Sequence, residues 1–398
     1  MADKVLGNEF TNNKKVKLIA GEVYDNMPYT KKAKSYMSQG ELEGKKYGNT
    51  YSIYLTDPGE VHDGLEASPD TITEYEVPVT LKNKNTSVEL DAWNKLGDIE
   101  SFTNEIAKPR GRKLARSVEK EVIEDTLPKA FQVVSGNASF KTLTDMSKAL
   151  DEVSMAGTKV TFVKPTVAGT IANGGLANFI PSEIQSKIYK DAYLGQYAGA
   201  SVIENNLMPV VDIAGTETAK IAYTAISGIG AESATVVGYK VKVTDNNPNV
   251  PFKLPGVKIV GLDGMETDQD FCFIADKNSA VPEIRVAVQG HNLNNANGWI
   301  AVESAFTGAT AADGFTGMVG AGKYALAQCR DEQAVGFDQY KFSDLPGSEN
   351  ATETVGNVSM KMSTYGDGKY MTTLTRLDLP FAATLPEPRR AVVGYIKL

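Results

Sequence analysis

The chain has 398 residues, of which 42% are hydrophobic and 23% are charged, a balance that excludes disorder as its main state. Its net charge of −8 argues against a general nucleic-acid binder, because affinity for phosphate comes from clustered positive charge. Two cysteines, Cys272 and Cys329, exclude a disulfide framework, and the length indicates two or three domains. No signal peptide is expected at the N-terminus, and no apolar run reaches the roughly 18 residues of a membrane span.

Residues 1–47 contain few large apolar residues and many lysines, which predicts a partly helical terminal arm rather than part of a core. Two interpretations stay open at this point, a solvated terminus and a contact arm for a partner. The lysines concerned are Lys14, Lys15, Lys17, Lys31, Lys32 and Lys34.

Two strands follow, and both show the alternation of a half-buried strand. Residues 50–56 place Tyr51, Ile53 and Leu55 on one side, and residues 74–81 alternate in the same way from Tyr75 onward. Pro78 places the second strand at a sheet edge or at its end. The strands enclose a polar tip with His62, Asp63 and Asp70. Because an isolated two-stranded ribbon is only marginally stable, it packs either on its own domain or on a neighbouring molecule.

Residues 98–127 have helical periodicity, which Pro109 and Gly111 interrupt. Its charged positions predict a solvated face, formed by Arg110, Arg112, Lys113, Arg116, Glu119, Lys120, Glu121 and Glu124. A second helix is predicted over 143–156, with Thr142 and Asp145 as a capping box and Gly157 as its stop. A short strand over 160–163 then ends at Pro165.

From about 216 to 318 the pattern changes to short strands separated by turns. The predicted strands are 236–244, 256–262, 271–275, 283–289 and 299–306, which indicates a small β-barrel or sandwich inserted as a separate unit. Within it, Asp263, Glu266, Asp268 and Asp270 form an acidic loop. The loop lacks the ligand spacing of a calcium site, so it is either solvated or pairs with a basic patch on a neighbour. Residues 369–398 alternate again as strands.

Signatures of catalysis are missing from the sequence. The two histidines, His62 and His291, have no zinc-binding spacing, and no nucleophile elbow occurs. The segment from Gly317 to Lys323 resembles a phosphate-binding loop, but the next residue is Tyr324 instead of the hydroxyl residue that magnesium requires. A flexible glycine linker between two domains is therefore the preferred interpretation. We expect neither an enzyme nor a bound cofactor or metal.

Four stretches together resemble the coat proteins of P-twenty-two-like podophages, a branch of the Hong Kong 97-type capsid fold. Residues 31–36 and 48–53 resemble the family's arm leading into its E-loop, and residues 89–127 resemble its spine helix region. Residues 188–210 resemble the approach to the A-domain insertion. Residues 373–379 and 386–394 resemble the C-terminal strand, although Pro386-Glu387-Pro388-Arg389 departs from the family's Arg-Pro-Glu-Ala order.

The resemblance implies an α+β fold with an inserted small β-barrel. It divides the chain into an N-terminal arm (1–47), an E-loop hairpin (48–82), a P-domain with a spine helix (83–158), a first part of the A-domain (159–215), an I-domain (216–318), a second part of the A-domain (319–364) and a C-terminal strand (365–398).

The resemblance also implies a major capsid protein that assembles in the bacterial cytoplasm into the pentamers and hexamers of an icosahedral virion shell. The shell encloses double-stranded DNA without specific binding, uses a scaffolding protein and a portal, expands on maturation, and involves no membrane. The arm lysines are expected at its inner face and the acidic loop between capsomers. The E-loop residues expected to contact a neighbouring copy are Tyr51, Ile53, Tyr54, His62, Asp63, Asp70 and Tyr75.

Two other functions are weighed against a capsid protein. A secreted β-rich adhesin predicts a signal peptide and little charged helix, whereas this sequence is interpreted as having the reverse. A nucleotide-dependent enzyme would use Lys323.

Overall fold

A computed structural model describes residues 12–36, 48–56, 63–64, 74–91, 102–154, 157–173, 196–215, 218–226, 237–244, 250–262, 266–274, 284–288, 299–302, 312–344, 347–367 and 372–398. The chain forms two compact units. Unit 1 comprises residues 1–52, 78–122 and 336–384, and unit 2 comprises residues 53–77, 123–335 and 385–398.

The described α-helices all lie before residue 174, and strands predominate after them, so the fold is of the α+β class. The α-helices are α1 (Asn12–Asp25), α2 (Lys108–Thr126), α3 (Phe140–Val153) and α4 (Pro165–Asn173). The strands up to residue 213 are β1 (Thr50–Thr56), β2 (Glu74–Thr80), β3 (Lys82–Asp91), β4 (Gln132–Asn137), β5 (Lys159–Val163), β6 (Gln196–Tyr197), β7 (Ala200–Glu204) and β8 (Val210–Ile213). Those of the predicted insertion are β9 (Thr218–Ile226), β10 (Val237–Thr244), β11 (Pro251–Val260), β12 (Glu266–Ile274), β13 (Ile284–Val288), β14 (Trp299–Val302) and β15 (Ala312–Thr316). The last are β16 (Gly322–Asp331), β17 (Gly336–Asp338), β18 (Glu349–Val355), β19 (Val358–Asp367), β20 (Thr372–Thr384) and β21 (Ala391–Lys397).

An antiparallel sheet in the order β3-β20-β19-β18 forms the body of unit 1, and β17 pairs with the end of β20. β3 pairs with β20 over ten residues, from Lys82 to Asp91. The sequence did not predict this strand, and residues 89–91, expected in the spine helix region, lie in it. Residues 336–364, expected in the A-domain, lie in unit 1 with this sheet, so the domain names stay predictions.

Helix α1 packs against β18 and β19. Its apolar residues Val16, Ile19, Ala20 and Val23 recur at the spacing of one helix face, and all are 1% exposed or less. The expectation of a terminal arm outside the core is therefore wrong for residues 12–36. The expectation relied on the small number of large apolar residues in this segment. Four apolar residues at helical spacing are nevertheless enough to bury one face of α1.

Helix α2 follows a π-helical turn, Phe102–Ala107, so the predicted interruption is present as a change of helix type ahead of Pro109. Pro109 lies in the first turn of α2, where no backbone N–H is needed. Leu114, Ala115 and Val118 are buried as their spacing predicts. Gly111 allows close approach to α1, because a Cβ there would lie 3.3 Å from the Ile19 carbonyl oxygen.

The central sheet of unit 2 has the order β4-β21-β16-β5-β7-β6, and β8 pairs with the start of β16. β4 and β21 are parallel, as are β5 and β7, while β16 is antiparallel to its neighbours. Helices α3 and α4 supply Leu143, Met146, Leu150, Val167 and Ile171 to its apolar core. The predicted strand at 160–163 is confirmed within β5.

Helix α3 begins three residues earlier than the sequence predicted. Its N-cap is Ser139, whose Oγ accepts a hydrogen bond from the Thr142 backbone N–H. The predicted capping box at Thr142 and Asp145 is therefore wrong, and the helix ends at Val153 rather than near Gly157. The predicted apolar stripe is confirmed, since Leu143, Met146, Leu150 and Val153 are buried.

The insertion forms a seven-stranded sheet in the order β12-β11-β14-β13-β10-β9-β15, in which β13 and β14 alone among the described pairs are parallel. It lies in unit 2 together with the central sheet and contacts it directly. Cys272 N donates to Phe131 O (2.8 Å) and Leu262 N to Val153 O (3.0 Å). The buried Arg389 donates to Gly261 O (2.7 Å). The insertion is therefore held by hydrogen bonds to residues that flank the central sheet, just before β4, at the end of α3 and just before β21, rather than packed as a separate unit.

Candidate assembly site

One buried carboxylate joins three distant segments of unit 1. Asp338, at the end of β17 and 1% exposed, accepts hydrogen bonds from Ser35 Oγ (2.9 Å), Tyr36 N (2.8 Å) and Tyr51 Oη (2.8 Å). The backbone of Lys34 bridges to Gly336, and Phe337 N donates to Lys34 O (2.9 Å). A charged group can be buried at low cost when it is hydrogen-bonded in this way. Asp338 thus fixes the base of the β1–β2 ribbon to the segment after α1.

The ribbon is anchored at its base within its own chain. Tyr51, Ile53 and Val79 are between 2% and 4% exposed, so Tyr51 and Ile53, expected to contact a neighbouring copy, pack within their own chain at this end. Tyr54, on the opposite side, is 48% exposed, and Asp63 is exposed. His62 and Asp70 lie outside the described residues, as does the side chain of Tyr75. The role of these residues in contacts between copies stays a prediction.

The Tyr51 hydroxyl gives the ribbon base a measurable pH dependence. Burial and the Asp338 carboxylate raise the pKa of Tyr51 above its usual value of about 10. The folded chain then holds this proton where the unfolded chain loses it, so the stabilisation is present below pH 10 and falls as pH rises. We expect the stability difference between wild type and Tyr51→Phe to shrink above pH 10 by up to about 1.4 kcal/mol per pH unit.

Urea unfolding between pH 8 and 11 measures this difference. Tyr54→Phe is the matched control, because it removes a hydroxyl from the same strand at a side chain that is 48% exposed. A stability difference for Tyr51→Phe that stays constant with pH would contradict the raised pKa of the buried Tyr51 hydroxyl.

Helix α2 is held in unit 1 by charged side chains. Glu121 receives hydrogen bonds from Lys82 (3.0 Å) and Lys84 (2.5 Å) of β3. Burial alone would raise the pKa of Glu121, but these lysines outweigh it and lower the pKa. Glu119, expected on the solvated face, is instead fully buried and accepts from Tyr29 N at 2.8 Å. The sequence-based assignment of Glu119 to the exposed face is wrong, because its carboxylate accepts a backbone hydrogen bond from the turn after α1.

The arm lysines lie at the surface of unit 1. Lys31 pairs with Asp25 (3.3 Å) and stands over the Tyr24 ring, and Lys34 stands over the Tyr36 ring. Lys14 and Lys17 are exposed on α1, and Lys15 and Lys32 are partly exposed. Their proposed position at the inner face of a shell stays a prediction.

Three of the four acidic residues of the insertion belong to a strand rather than a loop. Glu266, Asp268 and Asp270 lie in β12, while Asp263 and the side chain of Glu266 are outside the described set. Asp270 pairs with Lys253, and Asp268 approaches Lys258 at 3.9 Å; both lysines belong to the neighbouring β11. Partners within the same sheet thus exist for two of the four carboxylates.

The segment that resembles a phosphate-binding loop has a different structure. Lys323 lies in β16, where its backbone pairs with Asp212 of β8 and its carbonyl oxygen accepts from Leu398 N (3.0 Å). In a phosphate-binding loop, the lysine opens a helix instead. The nucleotide-binding geometry is therefore excluded here, and the end of the predicted flexible linker is a paired strand.

Neither cysteine has the properties of a catalytic nucleophile. Both are buried, and burial raises the pKa of Cys272 to about 12 and that of Cys329 to about 11. Among the described residues, no group of three or more His, Cys, Asp or Glu is arranged to hold a metal ion. None of the described helices is both long and apolar enough to cross a membrane.

Comparison with known proteins gives structural similarity without sequence similarity. No protein-family model and no curated protein matches the chain. A structure from Mycobacterium phage Che8 aligns at 12% identity and a TM-score of 0.42, covering 92% of this chain and 90% of that one. The bacteriophage PhiM1 mature capsid aligns at 10% identity and a TM-score of 0.44, covering 93% of this chain and 87% of that one. The capsid of a native GTA particle aligns at 8% identity and a TM-score of 0.44, covering 92% of both chains. These values assign no family to the chain.

Proposed function

We propose that the chain is the major capsid protein of a tailed bacteriophage, a structural protein that self-associates into an icosahedral shell. Pentamers and hexamers of this one chain enclose double-stranded DNA, and the assembled protein resides in the virion. A scaffolding protein, a portal and membership of the P-twenty-two-like branch follow from the sequence resemblance and belong to the same proposal.

The observation that carries the proposal is the β1–β2 ribbon. It forms a two-stranded sheet that pairs with no other strand among the residues described. Asp338 holds its base through Tyr51, yet Tyr54 on one face remains half exposed. Since two strands alone are marginally stable in water, an ordered ribbon beyond the base needs a packing partner. A second copy of the chain provides that partner in a shell.

The β-rich insertion supports the same proposal. Phe252 of β11 forms a backbone bridge with Gly317, and Met318 N donates to Pro251 O (2.8 Å), so the chain returns after β15 to the start of β11. We take the sheet to close in this way into the small barrel that the resemblance implies. The net charge of −8 fits a wall around packaged DNA, because strong attraction would retain the DNA.

Expression of the chain alone tests the proposal. Shell-like particles, tubes or capsomers in size-exclusion chromatography and negative-stain microscopy are the expected result. A monomer at every concentration, with or without crowding agents, would contradict self-assembly.

Shortening the ribbon should separate folding from assembly. Replacing residues 57–73 by an Asn-Gly turn leaves Tyr51 and Asp338 in place, so we expect a folded protein with unchanged circular dichroism and a loss of closed particles. Tyr54→Ser tests the exposed face without changing chain length and should reduce particle yield more mildly. Normal closed particles from the shortened chain would show that the ribbon is dispensable.

A further inference from the structure

The four-stranded sheet of unit 1 has two open edges among the residues that the structure describes. At one edge, β18 (Glu349–Val355) pairs with β19 alone, and at the other, β3 (Lys82–Asp91) pairs with β20 alone. The outward N–H and C=O groups of an edge strand have no partner strand, so an open edge is a template for a strand of another chain. Each copy of the chain therefore offers two surfaces for strand addition.

The two edges match in direction. Neighbouring strands are antiparallel throughout the order β3-β20-β19-β18, so β3 and β18 run in opposite directions. When a second copy continues the sheet with the same face outward, its β3 lies antiparallel to β18 of the first copy. This contact joins two different strands, so it is heterologous, and heterologous contacts repeat from copy to copy until a ring closes. A ring is the arrangement that pentamers and hexamers require.

The two edges also match in charge on one face of the sheet. The strand register places four residues in a single row across this face, in the order Thr86, Leu377, Met362 and Ala351. Lys84 and Glu353 each lie two residues from one end of the row, so both share its face. When the row continues into a second copy, Ala351 lies opposite Thr86, and Glu353 lies opposite Lys84.

Glu353 is available for a contact between copies. It forms no hydrogen bond or ion pair with any residue that the structure describes, and it is partly exposed. Lys84 pairs with Glu121, yet its side chain remains 36% exposed. Opposite charges that face each other across two strands stabilise the pairing. Pairing of β18 with β18 around Ala351 would instead bring Glu349 and Glu353 of two copies together, which like charges oppose.

We propose that β18 of one copy pairs with β3 of a second copy, so that the sheet of unit 1 continues across the contact. The inference rests on the proposed function, since it names a contact between neighbouring copies in a shell. Main-chain hydrogen bonds give such strand addition its affinity, and the pair of Glu353 with Lys84 fixes its register. Arg110 already donates to Ser87 O at 2.7 Å, so the other backbone groups of β3 carry the pairing.

Two engineered cysteines test the pairing. In the proposed register, Asn85 of one copy lies opposite Thr352 of the next, so Asn85→Cys with Thr352→Cys places two thiols together. Within one copy, β3 and β18 are three strand spacings apart, about 14 Å, whereas a disulfide needs Cα atoms within about 7 Å. After mild oxidation of assembled particles, we expect a ladder of linked copies on a non-reducing gel that ends at pentamers and hexamers. The native Cys272 and Cys329 are buried.

Matched cysteine variants control for accidental cross-linking. Neither Asn85→Cys nor Thr352→Cys alone should give a ladder, because each puts a thiol on one edge only. A strong dimer from Asn85→Cys alone would indicate pairing of β3 with β3 and would overturn the proposal. Glu89→Cys with Thr352→Cys shifts one thiol by four residues, about 13 Å along the same face of β3, so we expect about ten-fold less cross-linking.

A charge reversal tests the register without cysteines. Glu353→Lys places two positive charges opposite each other, so we expect a several-fold lower particle yield in sedimentation and microscopy. The melting temperature of the unassembled chain should stay the same, since Glu353 has no ion pair among the described residues. Asp145→Lys makes the same change of net charge at an exposed carboxylate of α3 and should assemble as wild type does.

The outcomes distinguish this inference from the proposed function. If wild type forms no particles, the capsid function fails. If the double-cysteine variant assembles without forming a ladder, or if the shifted pair cross-links equally well, the strand pairing is overturned while the capsid function stands. A double-cysteine variant that does not assemble leaves the decision to Glu353→Lys, and a normal particle yield from that variant also overturns the pairing.

Discussion

Replacing Asp338 by alanine is expected to lower the free energy of unfolding by about 3–5 kcal/mol. The substitution leaves the buried Tyr51 hydroxyl and the half-buried Tyr36 N–H without their shared acceptor, while the exposed Ser35 hydroxyl can bond to water instead. An unsatisfied buried donor costs about 1–3 kcal/mol, and the losses at Tyr51 and Tyr36 are not fully additive. Urea unfolding followed by tryptophan fluorescence and circular dichroism measures the change.

Two further substitutions calibrate the effect of Asp338→Ala. Asp338→Asn keeps one acceptor oxygen and should cost about half as much. Asp344→Ala removes a carboxylate that is 79% exposed, although it pairs with Lys361, and should change stability by less than about 1 kcal/mol. Particle yield should fall with Asp338→Ala even below its unfolding temperature, because the ribbon loses its anchor. An unfolding midpoint equal to that of wild type would show that the three bonds do not hold the ribbon base.

Local periodicity predicted the elements whose pattern is complete within a few residues. The stripe of α3 and the alternation of β1 follow from backbone geometry alone, so Leu150 and Ile53 are buried as their spacing predicts. The β-rich character of 216–318 followed from the same kind of pattern. The start of α3 differs from its predicted position, because the N-cap is Ser139, one turn before the predicted cap at Thr142.

The hydrogen bonds that the Asp338 carboxylate accepts could not be predicted, because their donors lie 287 to 303 residues away in the sequence. Glu119 was missed for a related reason. A glutamate among lysines and arginines on a helix is normally solvated, whereas Glu119 is buried and accepts a hydrogen bond from the backbone N–H of Tyr29, 90 residues away. Buried charges therefore depend on partners that no local pattern contains.

Strands rich in polar residues also escaped prediction, because their sequences lack the apolar pattern of a half-buried strand. β3 has the sequence Lys-Asn-Lys-Asn-Thr-Ser-Val-Glu-Leu-Asp, which lacks an apolar alternation. It is stabilised by ten-residue pairing with β20, by the lysine bonds to Glu121, and by Arg110, which donates to Ser87 O at 2.7 Å. Likewise, Asp268 and Asp270 suggested a loop, although lysines on β11 make an acidic strand acceptable. Both cases are tertiary effects that override local propensity.

Gly356→Ala is expected to destabilise the chain by about 2–4 kcal/mol. Gly356 and Asn357 form the two-residue turn between β18 and β19, and Gly356 has a φ of 59°, which costs an alanine about 1–2 kcal/mol. A Cβ at this position would also overlap the Tyr24 ring of α1. Beside it, Asn357 Nδ2 donates to Thr30 O (2.8 Å), so the turn is where the N-terminal segment docks. Thermal and urea unfolding measure the loss.

Gly347→Ala separates the two causes, because Gly347 also has a positive φ, of 77°, but a Cβ there meets nothing within 4 Å. We expect Gly347→Ala to lower the free energy of unfolding only by the cost of the positive φ, about 1–2 kcal/mol. Combining Gly356→Ala with Tyr24→Ala should remove the steric overlap, so the double variant should be more stable than the sum of the single losses by about 1–3 kcal/mol. Strict additivity would mean that α1 does not rest on this turn. A coupling of the expected size would establish that residues 12–36 belong to the folded body of unit 1, whatever contacts they make in a shell.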